Sequence, residues 1–199
     1  MHDLDELVSL QQEQLRHDQL AHADILCLPV QQRLTHMVLH FSKYTGALSQ
    51  PLHDEKFQAI LVDTLIIALA TANALNVHLA KRIREETGAS SFSELEHIMH
   101  IDRHHVRETV FLKLAFATGT MAKACESLDH LEAYDFRITL ERQVIEVAFL
   151  VLAAATALRM NFGSMVRARW DAVERRSIFF SPGEVGNMYP LPFLKTVSR

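Results

Sequence analysis

Residues 59–75 read AILVDTLIIALATANAL, a run that would be apolar on nearly every side of a helix except at Asp63. A helix without a polar face is stable only when it is surrounded, by protein or by lipid. The run is shorter than the roughly 20 apolar residues a bilayer requires and is broken by a carboxylate, so it predicts the central helix of a bundle and no membrane span. Composition points the same way: 49% of the residues are apolar, with only six Gly and five Pro among 199. Such a chain favours long helices over a turn-rich β architecture, and it is long enough to bury a core without disulfide or metal support.

The run has an echo at residues 142–158, RQVIEVAFLVLAAATAL. Laid over the first, it sets Glu146 on Asp63 and matches Leu69, Ala70, Ala72, Ala74 and Leu75 with Leu152, Ala153, Ala155, Ala157 and Leu158. Ala and Leu recur in any core helix, so the retention of one carboxylate at the same place carries more weight than the identities. Similar helices flank each copy. Before the first come residues 4–23, with Leu4, Leu7, Leu10, Leu15 and Leu20 as the expected buried stripe, and then residues 30–44, with Val30, Leu34, Met37, Val38 and Phe41 at helical spacing. After it a polar helix ends at Gly88, a natural C-cap. The second half restarts at Ser91-Phe92-Ser93-Glu94, a capping-box pattern, and continues with a long helix over residues 104–127. The reading is an all-α helical bundle of two tandem units, residues 1–88 and 89–178, followed by an extended C-terminal tail over 179–199. The units should pack about a pseudo-twofold axis with Asp63 and Glu146 at equal depth.

The segment DTLIIALATANALNVHLAKRI resembles the third-helix region of MazG-like all-α nucleotide pyrophosphohydrolases, in which an Asp precedes an apolar run, an Ala-Asn stretch and a short fourth helix. LAFATGTMAKA, residues 114–124, is similar to that family's metal helix, and RARWDAVERRS, residues 167–177, to the basic-aromatic segment that ends such domains. The resemblance spans most of residues 30–176. It implies a fold that cleaves nucleoside triphosphates to monophosphate and pyrophosphate with Mg²⁺, usually as dimers or tetramers. It therefore implies a nucleotide or phosphorylated small molecule as partner, and a homo-oligomer.

That chemistry needs two adjacent Glu and a third a turn later on one helix, facing an ExxD pair on the next, because Mg²⁺ takes oxygen ligands in octahedral array. Here the first three positions fall on His36, Met37 and His40, and ExxD becomes Ile60 and Asp63; the second copy reads Phe116, Ala117 and Thr120, then Gln143 and Glu146. Mg²⁺ is not the cofactor such residues select. The expectation is a MazG-like scaffold with degenerate metal sites that acts as a ligand-binding or regulatory protein. The alternative is a nucleoside triphosphate pyrophosphohydrolase, or another phosphate-ester hydrolase, working through a changed metal.

His36 and His40 lie four residues apart and share a helix face, with Asp63 across from them if the family packing holds. Two imidazoles and a carboxylate suit a divalent transition metal, while the competing reading is a polar patch in which the imidazoles satisfy a buried carboxylate. Glu146 faces the same choice, with Arg142, Lys123 or Thr120 as ion-pair or hydrogen-bond partners. His97, His100 and His104, three of twelve histidines, would form one helical stripe at i, i+3 and i+7, for a metal or for a solvated interface. Arg167 and Arg169 beside Trp170 offer bidentate donors to phosphate, or a solvated surface. No GxxxxGK[ST], HExxH or GxSxG occurs.

A net charge of −4 without a basic tail gives nucleic acid little to hold. Cys27 and Cys125 stand far apart, as free thiols do in a reducing compartment. The amino terminus, MHDLDELVSLQQEQ, is acidic and polar where a signal peptide is basic and then apolar, so the expected location is the cytoplasm.

Overall fold

A computed structural model describes residues 4–176; the tail expected over 179–199 lies outside the described residues. Nine helices follow one another among the described residues: α1 (Leu4–Ala21), α2 (Ala23–Leu26), α3 (Val30–Leu48), α4 (Asp54–Leu75), α5 (Leu79–Thr87), α6 (Phe92–Met99), α7 (Val106–Asp129), α8 (Phe136–Ala157) and α9 (Phe162–Glu174). The described residues form an all-α helical bundle.

The two apolar runs make its centre. α4 and α8 pack against each other, α3 packs on α4 and on α7, and α7 packs on α8. Around this four-helix core α1 lies on α4 and α6 on α8, while α9 crosses to α4 and α5 to α8. Each contact of α4 thus has a counterpart at α8. By length and hydropathy α4 could cross a membrane, and 61% of its most apolar stretch is buried inside the protein, as in a core helix. Phe41 and Leu61 are completely buried within the single chain, so neither requires a second subunit to cover it. Thr64 and Thr71 donate to the carbonyls of Ile60 and Ile67 at 2.7 and 2.6 Å, which satisfies their hydroxyls inside the core.

Both central helices end in the same way. After α4, Asn76 takes the left-handed conformation (φ 57°) and the Val77 amide donates to the Ala72 carbonyl at 2.9 Å. After α8, Arg159 does so (φ 56°) and the Met160 amide donates to Ala155, also at 2.9 Å. These caps stand at the same sequence offset as Asp63 and Glu146, so the register shared by the two runs extends to their ends. The depths of the carboxylates differ: Asp63 is partly buried, whereas Glu146 is exposed.

α1 departs from its apolar pattern. Leu15 and Leu20, expected in the buried stripe, are 42% and 36% exposed, while Gln14 and Asp18 are 1% and 7% exposed. α1 is held between α4, α5 and α9, and the stripe those neighbours bury runs through residues 4, 7, 11, 14, 18 and 21. The histidine stripe of the second half is broken for a local reason. α6 stops at Met99, His100 is its left-handed C-cap (φ 52°), and His104 sits in the turn beyond, so His97, His100 and His104 share no helix face.

Candidate functional site

Three helix faces and a short connector line a cavity of about 100 Å³ in the first half. α1 contributes Gln14 and Asp18 one turn apart, and the residue ahead of α2 contributes His22. Arg33, His36, Met37 and His40 project from one face of α3, since positions i, i+3, i+4 and i+7 align along a helix. α4 closes the floor with Ile66, Ile67, Ala70 and Asn73. The lining is therefore mixed, with Gln14, Asp18, His22, Arg33, His36, His40 and Asn73 as its polar groups and Leu15, Ile25, Leu26, Met37, Ile66, Ile67 and Ala70 as its apolar ones.

Its polar groups are unequally satisfied. Asp18 accepts from Gln14 Nε2 at 2.7 Å, and Gln14 Oε1 accepts from Trp170 Nε1 at 2.7 Å, a buried chain that ties α9 to the cavity wall. Burial pushes the Asp18 carboxyl up to about 7, against the pull of Gln14 and Arg33 in the other direction. The Nε of Arg33 is buried and has no hydrogen-bond partner among the described residues. A buried guanidinium N–H without an acceptor carries a desolvation cost, and native proteins seldom leave one unless something else fills the role.

His36 and His40 meet edge to face with their Nε2 atoms 3.2 Å apart. The other ring nitrogen of His40 has Lys43 Nζ at 3.2 Å and the Tyr44 hydroxyl at 3.5 Å. Burial first, then Lys43 and His36, hold the His40 pKa down to about 4 despite the opposing field of Asp63. Burial, and then His17, lower that of His22. Burial and the charge of Asp63 raise that of Tyr44 well above the usual phenol value. The imidazoles of His40 and His22 are therefore neutral at neutral pH and can accept as well as donate.

Asp63 is not joined to the two histidines by a hydrogen bond. Its carboxylate is held in bidentate fashion by Arg169, Nε to Oδ1 at 2.6 Å and Nη2 to Oδ2 at 3.2 Å. Arg169 thus spends its fork on a carboxylate. Arg167 does the same with Glu13, at 2.8 Å for both bonds, and reaches Glu6 at 3.2 Å. The structure therefore brings His36 and His40 together and places Asp63 nearby with a cationic partner. Glu146 lies apart, in a surface groove with Phe116, Arg142 and Gln143.

The Mg²⁺ that the family resemblance implies does not fit here. Among the described residues no three or more His, Cys, Asp or Glu side chains are grouped to hold a metal ion, and the Asp63 carboxylate is already held by Arg169. Comparison with models of known families, with curated proteins and with solved structures finds no match.

Sequence reading missed Asp18, His22 and Arg33. One signal was available: Gln14 and Asp18 continue the spacing of Leu4 and Leu7, and Arg33 that of His36 and His40. Polar residues on that spacing read as a solvated face unless the helix that covers them is known, and Trp170 stands 156 residues from Gln14.

Proposed function

We propose that this chain is a ligand-binding or regulatory protein built on a MazG-like scaffold, a tandem pair whose first unit keeps a binding site and whose second serves as support. The cavity between α1, α3 and α4 carries the reading, because it gathers Gln14, Asp18, His22, Arg33, His36 and His40 over the apolar residues of α4. A volume of about 100 Å³ is small beside the roughly 300–1,000 Å³ of clefts that take drug-sized ligands, which favours a small molecule over an intact nucleoside triphosphate. The scaffold assignment rests on the sequence resemblance and on the repeated register and caps of α4 and α8.

Hydrolysis with Mg²⁺ finds no support in the residues around Asp63. Without a held metal the charge that develops on the phosphates in pyrophosphate cleavage goes unneutralised. A thermal-shift panel of nucleotides, phosphorylated metabolites and small organic acids tests the binding reading, with wild type compared to Ala70→Leu, which fills the cavity. A compound that stabilises the first and not the second supports it. Pyrophosphate release from any common NTP with Mg²⁺ alone overturns it.

One observation favours a second reading. Two imidazole nitrogens 3.2 Å apart are close to the separation of two ligands bound at about 2.0–2.1 Å in a tetrahedral site, so His36 and His40 could share a transition metal ion. Zn²⁺ or Co²⁺ binding lost in both His36→Ala and His40→Ala would favour a metal-dependent hydrolase acting on a phosphate ester. Self-association, also implied by the resemblance, has a candidate surface on α7, where Leu112 and Phe116 are 57% and 73% exposed one turn apart. Light scattering on Phe116→Ser against wild type tests it.

A further inference from the structure

We infer that two copies of this chain pack face to face through α7 and α8, about a twofold axis that runs between the copies and crosses α8 midway between Arg142 and Glu146. This deepens the self-association reading above and rests on it. The face has an apolar centre. Leu112 and Phe116, one turn apart on α7, stay exposed beside a groove that Val147 and Leu150 of α8 and Met99 at the end of α6 also line. One exposed apolar side chain is ordinary on a protein surface, whereas large ones grouped over a groove mark a contact surface.

Charge identifies the occupant. Arg142 and Glu146 line the same groove, both exposed and one turn apart on α8. Arg137 and Glu141, at the same spacing on the same helix, close an ion pair at 2.6 Å. Arg142 and Glu146 make no ion pair with each other or with any other described residue. At the matching place on α4 the carboxylate of Asp63 is met within the chain by Arg169 of α9, and Glu146 on α8 receives no such cation from the described residues. An unrelated partner would need an acid and a base placed to match this pair. A second copy has them by construction, because in a twofold contact residue i meets j and j meets i. With the axis between Arg142 and Glu146 the two α8 helices run antiparallel and each arginine meets the other copy's glutamate. The two α7 helices meet in the same way, which brings Leu112 and Phe116 of each copy onto the apolar face of the other. Lys113, also in the groove lining, has a stem long enough to keep its ammonium in water.

The test uses the full chain in sedimentation equilibrium and native mass spectrometry. Wild type should dimerise. Arg142→Glu and Glu146→Arg each set like charges across the axis and should weaken the dimer roughly ten-fold or more, whereas the two substitutions in one chain restore the match and with it the dimer. An equimolar mixture of the two single variants should form the heterodimer in excess of both homodimers, and its formation shows in the same sample that both variants are folded. A dimer that neither single substitution weakens, or a mixture with no preference for the heterodimer, overturns this geometry and leaves self-association to another face. Wild type that stays monomeric across the concentration series removes both readings.

Discussion

Arg169 grips Asp63 with two parallel hydrogen bonds, and through it α9, the last described helix, is fastened to the centre of α4. The Asp63 side chain keeps 22% and the Arg169 side chain 41% of its surface, so the pair is worth less than a fully buried one and more than a solvated one. Arg169→Met should cost roughly 1–2 kcal/mol in urea unfolding, and Asp63→Asn about the same, with a double-mutant cycle that shows strong coupling. The metal reading makes a further demand: with Arg169 removed, Asp63 is free, so Co²⁺ should bind more tightly to Arg169→Met than to wild type if His36, His40 and Asp63 ever act together. Unchanged or absent binding would leave the carboxylate a structural partner of α9.

Asp18 sets a pH dependence of stability. Its pKa is about 7 in the folded protein, against 3.8 for an unperturbed carboxyl, and burial is the main cause. A carboxyl whose folded pKa is raised contributes stability that is complete below the unfolded value and is lost as pH rises through the folded one. At about 1.4 kcal/mol per unit the loss is on the order of 4 kcal/mol between pH 4 and 7. Asp18→Asn keeps an acceptor for Gln14 and removes the titration. Its melting temperature should gain on wild type progressively over that range and hold the gain above it. A constant difference from pH 4 to 8 would mean that Asp18 does not titrate as its burial implies.

His40 acts over the same pH range with the opposite sign. Burial, Lys43 and His36 depress its folded pKa to about 4 from 6.5, so the unfolded chain takes up the proton first as the medium is acidified. Stability present above pH 6.5 should fall as pH drops toward 4, by roughly 2–3 kcal/mol after allowance for its partial exposure, and His22 adds in the same direction. The two contributions oppose each other between about pH 4 and 6.5, so His40→Gln should steepen the loss of stability with rising pH that Asp18 causes, and Asp18→Asn should unmask the loss on acidification that His40 causes. Melting curves of the two single variants separate the contributions.

How much of this was open to the sequence differs between the centre and the site. α4 and α8 are legible because their pattern has no polar face, which permits only one placement. The His36 and His40 pair is legible because both lie on one helix, where spacing alone sets proximity. Asp18 and Arg33 are not, since their burial comes from α9 and α4 and nothing local distinguishes Gln14 and Asp18 from a solvated face. The same cause misplaced Leu15 and Leu20. For Arg169 and Arg167 the sequence offers phosphate donors or a solvated surface and no carboxylate partner, because helical spacing shows a cation and conceals the acid that meets it from another helix. His100 is a different case: one left-handed residue ends α6, and a seven-residue histidine spacing loses its meaning at that point.

The matched caps of α4 and α8 yield the last prediction. Asn76 suits the left-handed conformation because its short polar side chain tolerates it, whereas Arg159 has no such accommodation and its Cβ crowds the neighbouring carbonyl. The strain should be relieved by a residue without a Cβ. Arg159→Gly should therefore raise stability by about 0.5–1 kcal/mol, or a melting temperature by roughly 1–4 °C for a chain of this size, despite the greater freedom of glycine in the unfolded state. Arg159→Asn should reproduce part of that gain. Asn76→Gly should be nearly neutral, since asparagine already fits. If Arg159→Gly instead destabilises the protein, the arginine side chain holds α9 in place strongly enough to outweigh the strain, and the two caps are alike in backbone only.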